Sequence, residues 1–291
     1  MLTEYFSKGI LLCMTDQATE QNTGPHRRAT PKEKVVRKSG SPLYSAFTFV
    51  GECCSLFGES MVAFFQGKVS FADLLNQMAA VGADSVGIVV LISFATGAVF
   101  SFYITTISLV VGFTGFVGSG VTYAFLNELG PVLGGVAYAS RVASSVAAEI
   151  GSMVVTEQVE ALRSMAISPI RYLVAPRVIA CAVTMPLLVV VADFIGVSAG
   201  YFFSGFSGVA HGDYINSIYS FIKPGDLTTG LVKSIWFGIV VGVVSCRQGL
   251  KTSRGATGVG KATTSSVVIC VVLIFVSDLV LTHIITGAHT T

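Results

Sequence analysis

Four of the ionisable side chains in the long apolar stretches of this chain are candidates for a functional site. They are Glu128, Asp193, Lys233 and Asp278. Placing one charge at the centre of a membrane costs on the order of 2.5 to 3.5 kcal/mol, so such groups normally face a cavity or pair with one another. Asp193 and Asp278 fit both interpretations, since a salt bridge such as Lys233 with Asp278 is equally consistent with the pattern. Glu128 is the stronger cavity candidate, because Gly130 and Pro131 should break the helix beside it.

The overall composition places these groups in a membrane protein. Hydrophobic residues make up 52% of the 291 residues and charged residues 12%, and the mean hydropathy is +0.75. A soluble protein of this length needs more polar surface than that. The net charge of +2 is too small to suggest binding to nucleic acid, and no basic run alternates with aromatic residues.

Five segments are long enough to cross the hydrocarbon core of a membrane, which takes about 20 helical residues. They lie near 84–111, 116–150, 177–203, 229–246 and 264–286. Small residues recur within them at four-residue spacing, which allows helices to pack closely. Examples are Gly196 and Gly200, Gly238 and Gly242, and the series Ala139, Ala143, Ala147 and Gly151. The sequence therefore predicts an all-α, polytopic membrane protein.

Lysine and arginine residues predict the orientation of these spans. The loops after the second and fourth spans are basic. They contain Arg163, Arg171, Arg247, Lys251, Arg254 and Lys261, whereas the other two loops contain only Lys223. By the positive-inside rule, the amino terminus and the basic loops are cytoplasmic and the carboxyl terminus is outside. Glu128, Asp193 and Asp278 then lie between the midplane and the outer surface, with Lys233 near the outer end of its span.

The amino-terminal region differs from the spans. Residues 1–42 are polar and hold seven of the 18 Lys and Arg residues, which predicts a mostly disordered tail, with a targeting segment as the alternative. In residues 43–71 apolar side chains recur around Glu52, Glu59 and Lys68. That spacing favours a helix lying in the membrane interface. A sixth span is the alternative, but it would place Glu52 and Glu59 in hydrocarbon.

The loop between the second and third spans contains a short amphipathic pattern. Thr156 is expected to cap a helix that begins at Glu157 and ends before Pro169. Its apolar stripe consists of Val159, Leu162, Met165 and Ala166, and its polar face holds Glu160 and Arg163. The pattern predicts a cytoplasmic helix with a small apolar ridge. A helix that merely lies on lipid is the alternative.

Other motifs in the sequence give weak or negative signals. GATGVGK at 255–261 fits the phosphate-binding pattern GxxxxGK, but Ala262 stands where Ser or Thr would bind magnesium, and no buried strand precedes it. The four histidines have no metal-ligand spacing, and the six cysteines include no CxxC pair. We expect no nucleotide site, no metal site and no disulfide framework.

A serine protease is the main alternative from another class of protein. GFSG at 205–208 matches the GxSG of rhomboid-like intramembrane proteases, with Ser207 as the nucleophile. His283, near the outer end of the last span, would lie on the same side of the membrane as a Ser–His dyad requires. The tetrad lies in a loop rich in Gly, Ser and Phe, where such matches arise by composition.

One long segment carries a family resemblance. The run from Glu128 to Ala180, ELGPVLGGVAYASR through SPIRYLVAPRVIA, closely resembles the signature of the MlaE-type permeases. These are the membrane subunits of ABC lipid transporters that work with MCE proteins. The likeness continues through 231–238, 255–268 and 277–282, so it defines a permease domain over 43–291. Members often have Arg before the Glu of ELGP, where this chain has Asn127, a difference that bears on ion pairs and not on the fold.

The resemblance implies a function and a set of partners. It implies a permease that moves a phospholipid-like molecule, with ATP hydrolysis on a separate ABC ATPase subunit and no cofactor of its own. Two permease copies would form a homodimer, with an MCE protein on the outer face. A bacterial inner membrane is the expected location and a plastid inner envelope the alternative.

The resemblance also implies roles for particular residues. The helix 157–165 would be a coupling helix seated on the ATPase. Its contact candidates are Glu157, Val159, Glu160, Leu162, Arg163 and Met165. The lipid-path candidates are Glu128, Asp193, Lys233 and Asp278.

Overall fold

The computed structural model of the chain describes residues 42–66, 71–112, 114–253 and 255–289. Within those ranges the backbone is helical and forms no strands. The α-helices are α1 Pro42–Phe65, α2 Phe71–Val111, α3 Val117–Ala124, α4 Gly130–Val155, α5 Gln158–Ser164, α6 Ala175–Phe206, α7 His211–Phe221, α8 Pro224–Leu250 and α9 Ala256–His289. A 3-10 turn at Thr114–Phe116 precedes α3, and π-helical turns at Phe125–Leu129 and Ile170–Val174 lead into α4 and α6. Of the predicted tail 1–42, all but Pro42 lies outside the described residues.

All five predicted spans are helical. They correspond to α2, to α3 through α4, to α6 with its π turn, to α8 and to α9. The helices extend beyond the predicted spans, because hydropathy marks only their most apolar stretch. The 41 residues of α2 cover about 60 Å at about 1.5 Å per residue, roughly twice the thickness of the hydrocarbon core. The prediction of an all-α, polytopic membrane protein is confirmed.

Five helices of the described chain are long and apolar enough to cross a membrane, but one differs from prediction. The residues Phe47–Phe65 of α1 are long and apolar enough to cross a membrane, whereas the predicted span 116–150 is not. The reason is the position of α4, which packs against α2, α6, α8 and α9. A helix surrounded by other helices needs small residues more than apolar ones, and α4 buries Gly134, Gly135, Ala139 and Ala143.

The helix α1 is attached to the end of α8 by charge. Glu52 Oε2 lies 2.7 Å from the Arg247 guanidinium, and Glu52 Oε1 lies 2.6 Å from Lys251 Nζ. The guanidinium of Arg247 also sits 4.1 Å from the centre of the Phe49 ring. Glu52 is therefore paired at the level of a predicted cytoplasmic loop. Whether α1 lies in the interface or crosses the membrane stays a prediction.

The main core forms where α4, α6, α8 and α9 meet. It contains the large buried side chains Tyr138, Met185, Phe237 and Ile274. Three free thiols are buried in the same core, at Cys181, Cys246 and Cys270. Free cysteines in such surroundings behave as small hydrophobic residues.

The predicted small-residue contacts are present. A Cβ atom added at Gly196 would lie 2.0 Å from the Phe125 ring, and one at Gly97 would lie 2.3 Å from the Gly196 carbonyl oxygen. A Cβ at Gly238 would lie 2.5 Å from the Cys181 carbonyl oxygen. These helices therefore approach so closely that only glycine fits, as the four-residue spacing predicted.

Candidate functional site

A cluster of polar side chains surrounds Lys233 inside the helix bundle. Lys233 comes from α8, Glu128 from the π turn before α4, and Asp278 and Thr282 from α9. Lys233 Nζ donates hydrogen bonds to Glu128 Oε1 at 2.8 Å and to Thr282 Oγ1 at 2.7 Å. It also lies 3.0 Å from Asp278 Oδ1 and donates to the Asn127 carbonyl oxygen at 3.0 Å. We call these five residues the Lys233 cluster.

Burial differs sharply among members of the Lys233 cluster. The side chain of Lys233 is 1% exposed, that of Asp278 is 16% exposed and that of Glu128 is 41% exposed. A buried ammonium group is tolerated here because every contact it makes is with an oxygen atom. Two carboxyl groups share this one cation, and the more accessible of them belongs to Glu128. The cluster therefore opens to the surface of the protein on the Glu128 side.

The backbone at Glu128 differs from the expected helix break. Residues Phe125–Leu129 form a π-helical turn that continues directly into α4, and Pro131 lies in the first turn of α4. Proline has no N–H group to donate to the carbonyl oxygen of Asn127, four residues earlier, and Lys233 Nζ donates to that oxygen instead. The prediction of a break at Gly130 and Pro131 is therefore wrong. A π turn inserts an extra residue and is frequent at functional sites.

The side chain of Asn127 takes no part in the ion pairs. Its Nδ2 atom donates to the Tyr123 carbonyl oxygen at 3.1 Å, one turn back along the chain. Only its backbone carbonyl oxygen reaches Lys233. This neutral side chain is bonded to its own helix, and Lys233 is the cation in the Lys233 cluster.

Asp193 lies outside the Lys233 cluster. It is 5% exposed, and neither of its carboxyl oxygens has a hydrogen-bond partner. Its Oδ1 atom packs against Gly130, where an added Cβ would lie only 1.8 Å away. Of the four charged residues that the sequence singled out, the structure thus brings three together and places the fourth elsewhere.

Asp193 lines a cavity of about 480 Å³ that is open to the protein surface and lies between α6, α7 and the start of α8. The wall on the α7 side includes Tyr214, whose hydroxyl group donates to the Val197 carbonyl oxygen at 3.3 Å. Burial raises the pKa of Tyr214, so this hydroxyl stays protonated. We call this space the Asp193 cavity.

Sequence reasoning missed two contributors to these sites. Thr282 was detectable, because it lies four residues after Asp278 and so on the same face of α9. Tyr214 had no comparable signal, since the loop 204–228 does not indicate how α7 folds back on α6. The short helix packs there through contacts distant in sequence.

The predicted cytoplasmic helix is present as α5, but its start differs. It spans Gln158–Ser164, and the residue before it, Glu157, has a positive φ of 61° and makes no side-chain cap. Thr156 instead ends α4, and its Oγ1 atom donates to the Ser152 carbonyl oxygen at 2.9 Å. The predicted cap at Thr156 is therefore wrong. The chain turns sharply at Glu157, so this hydroxyl is used by the preceding helix.

The apolar residues of α5 and the turn after it differ in how far they are buried in the protein. Val159 is buried, Leu162 is half-buried and Met165 is 61% exposed. Ile167, which the sequence did not single out, is also exposed just after the helix. The outward part of the ridge thus consists of Leu162, Met165 and Ile167. We call these three residues the α5 ridge.

The polar face of α5 carries a surface ion pair. Arg163 Nη1 lies 3.1 Å from Glu160 Oε1, and both side chains are well exposed. Such pairs contribute about 0 to 1 kcal/mol to stability, so this one leaves both residues available for other contacts.

A model of the family described as Permease MlaE matches residues 74–284. The chain belongs to the MlaE permease family. It is 39% identical over 220 residues to a probable ABC transporter permease protein of Rickettsia prowazekii, covering 72% of this chain and 82% of that protein. It is 36% identical over 224 residues to a probable ABC transporter permease protein of Synechocystis, covering 77% and 85%.

A plant relative extends the comparison. The permease is 33% identical over 225 residues to the protein TRIGALACTOSYLDIACYLGLYCEROL 1, chloroplastic, of Arabidopsis thaliana, covering 77% of this chain and 64% of that one. Together these relatives support a multi-pass membrane permease. The description as ABC transporter permeases implies an ATPase partner.

The glycine-rich segment of the permease at 255–261 has no phosphate-loop geometry. α9 begins at Ala256, and Gly258 packs against the carbonyl oxygen of Ser253. A phosphate loop would need an extended turn after a strand. In this part of the permease the segment serves instead as the first turns of a membrane helix.

Proposed function

We propose that this permease moves phospholipid-like lipids, powered by a separate ABC ATPase subunit. The observation that carries the proposal is the Lys233 cluster, a set of ionisable groups inside the apolar helices of an MlaE permease. Charges at that depth are costly unless they pair or face a polar molecule. Glu128 pairs with Lys233, yet much of its side chain stays exposed. A lipid headgroup passing this surface would meet the carboxylate of Glu128.

Coupling to the ATPase is assigned to α5. The helix lies between two residues with left-handed backbone conformation, Glu157 and Ala166, which fix its direction relative to α4 and to the π turn before α6. Non-glycine residues in this conformation are strained and persist only where the surrounding structure holds them. A rigidly held helix with the exposed α5 ridge can transmit the movement of a partner to the membrane helices.

A salt bridge links the two helices next to α5. Arg177 Nη2 in α6 lies 2.7 Å from Glu149 Oε1 in α4, and Arg177 also donates to the Leu173 carbonyl oxygen at 2.8 Å. A push on α5 therefore reaches both α4 and α6 as one unit. Nucleotide-driven closure of two ATPase subunits would then move two permeases together and change a lipid cavity between them.

The proposal includes a homodimer, an MCE partner on the outer face and a bacterial inner membrane, with a plastid inner envelope as the alternative. The relatives support both locations, since the Rickettsia protein is bacterial and the Arabidopsis protein is chloroplastic. Two-fold dimers are the commonest closed assemblies of identical subunits.

Lipid transfer between vesicles would test the function. The permease, reconstituted with its ATPase and MCE partner, should move labelled phospholipid only with ATP. Glu128→Gln should reduce the transfer rate at least about tenfold, because it removes the exposed charge of the Lys233 cluster while keeping side-chain size. Glu59→Gln is the matched control, since that exposed acid accepts a hydrogen bond from Ser55 on its own helix and lies outside the Lys233 cluster. Equal transfer by Glu128→Gln and wild type would contradict the assignment.

The protease alternative has its own test. Ser207 ends α6, and its Oγ atom donates to the Phe203 carbonyl oxygen at 3.1 Å. The ring of His211 rather than His283 lies beside Gly205 in this loop. Ser207→Ala should leave ATP-driven lipid transfer unchanged, whereas it would abolish cleavage by a serine protease.

A further inference from the structure

The Asp193 cavity has the size and lining of a ligand site. Its volume of about 480 Å³ falls within the range of roughly 300 to 1,000 Å³ typical of small-molecule sites. Aliphatic side chains from α6 and α7 form much of its wall, with aromatic rings at Phe194, Tyr201, Phe202 and Tyr214. Asp193 is the carboxylate among the lining residues, and none of them is Lys, Arg or His.

The carboxyl group of Asp193 lacks any partner within the described chain. Both oxygens are buried without a hydrogen bond, and the group is held in place against Gly130. The cation on a neighbouring helix, Lys233, is engaged by the oxygens of its own cluster. A buried carboxylate without a counter-charge costs several kcal/mol, and an ammonium group entering the cavity would supply that counter-charge once the Asp193 side chain turns away from Gly130.

We infer that the Asp193 cavity binds an amphipathic organic cation, a single apolar chain ending in an ammonium group. The ammonium would donate hydrogen bonds to the free Asp193 oxygens, and charge-assisted bonds of this kind are the strong ones. Faces of aromatic rings attract cations, and four rings line the cavity. The apolar wall accepts the chain. This binding requires neither the ATPase nor lipid transfer, so it stands independently of the proposed function.

Photo-crosslinking of the purified wild-type permease would test the inference. The probe is dodecylamine carrying a diazirine in its chain, and the matched probe is dodecanol with the same diazirine. The amine probe should label peptides within 190–202 or 214–218, and unlabelled dodecylamine should compete at least about tenfold better than dodecanol, the size of one charge-assisted hydrogen bond. Equal competition by dodecanol would overturn the assignment of a cation, and absence of label from these peptides would overturn the site.

Two variants sharpen the test. Asp193→Asn keeps the shape of the side chain and removes its charge, and Gly130→Ala places a methyl group against Asp193 Oδ1. Both should lower labelling by the amine probe about tenfold. Gly225→Ala is the matched control, because an added Cβ there meets no atom within 4 Å. Undiminished labelling of folded Asp193→Asn would overturn the role of the carboxylate.

A second copy of the chain is the competing partner for Asp193. Size-exclusion chromatography with light scattering should give the same oligomeric state for wild type and Asp193→Asn. If the variant instead lost its dimer, the carboxylate would be paired across an interface and the ligand site would be overturned.

Discussion

Lys233 Nζ lies 2.8 Å from Glu128 Oε1, across the gap between α8 and the π turn before α4, although the two residues are 105 positions apart in sequence. The pair joins the buried cation of the Lys233 cluster to the more exposed of its two acids. It also connects the π turn to α8, so that one contact holds both the irregular backbone at Phe125–Leu129 and the charge of Glu128.

Removing the cation from this pair should be costly. Lys233→Met leaves Glu128 and Asp278 facing each other without a counter-charge, and breaking a buried pair in this way costs about 3 to 5 kcal/mol. Thermal unfolding in detergent should show a clear loss of stability. Adding Glu128→Gln and Asp278→Asn to Lys233→Met should restore part of it, because no uncompensated charge then remains. If the Lys233→Met variant alone were as stable as wild type, the Lys233 cluster would be open to water.

The α5 ridge should bind the ATPase. Leu162→Asp is expected to cost about 2 kcal/mol or more of binding, because a few apolar anchors carry most of the energy when a small ridge enters a groove. The variant should lose the ATPase subunit in a pull-down while still inserting into the membrane. Met165→Asp should act in the same direction.

An exposed serine at the end of α5 supplies the control for the ridge. Ser164→Asp introduces the same carboxylate as Leu162→Asp on the same helix, but it replaces a hydroxyl group that donates to the Ala161 carbonyl oxygen and not an apolar anchor. It should retain the ATPase at nearly wild-type stoichiometry. If Leu162→Asp also retained it, α5 would be a helix lying on lipid and coupling would occur elsewhere.

Close packing at Gly196 should be sensitive to a single methyl group. Gly196→Ala forces a Cβ into the Phe125 ring and should destabilise the permease by about 1 to 3 kcal/mol. Gly87→Ala is the matched control in α2, where an added Cβ meets nothing within 4 Å. That change should be neutral or slightly stabilising, because alanine favours helix. Comparison of the two melting temperatures measures the packing contribution.

Membrane orientation follows from the distribution of Lys and Arg. In a cysteine-free background, Lys251→Cys should react with a membrane-impermeant maleimide only from the cytoplasmic side, and Asp213→Cys only from the outer side. Labelling of both positions from the same side would rule out five spans with this orientation. A further cysteine at exposed Phe47 would place α1 in the interface or across the membrane.

The sequence by itself determined the class of the protein. Composition, five apolar stretches and four-residue spacing of small residues are local properties, and they indicated an all-α membrane protein with close helix contacts such as that of Gly196. Periodicity also located α5 to within a residue or two. The left-handed turn at Glu157 escaped this reasoning, because Thr156 can cap a helix or end one, and only the path of the chain decides between them.

The tertiary structure decided which charges meet. The sequence placed Glu128, Asp193, Lys233 and Asp278 in apolar helices and offered Lys233 with Asp278 as one salt bridge, but it did not predict the pairing of Lys233 with Glu128. The extra residue of the π turn and the packing of α4 against α8 and α9 bring three of them within hydrogen-bonding reach. Asp193 is left against Gly130 without a partner. Local sequence sets how costly each charge is, but pairing depends on helix rotation and register, which are fixed only when the helices pack together.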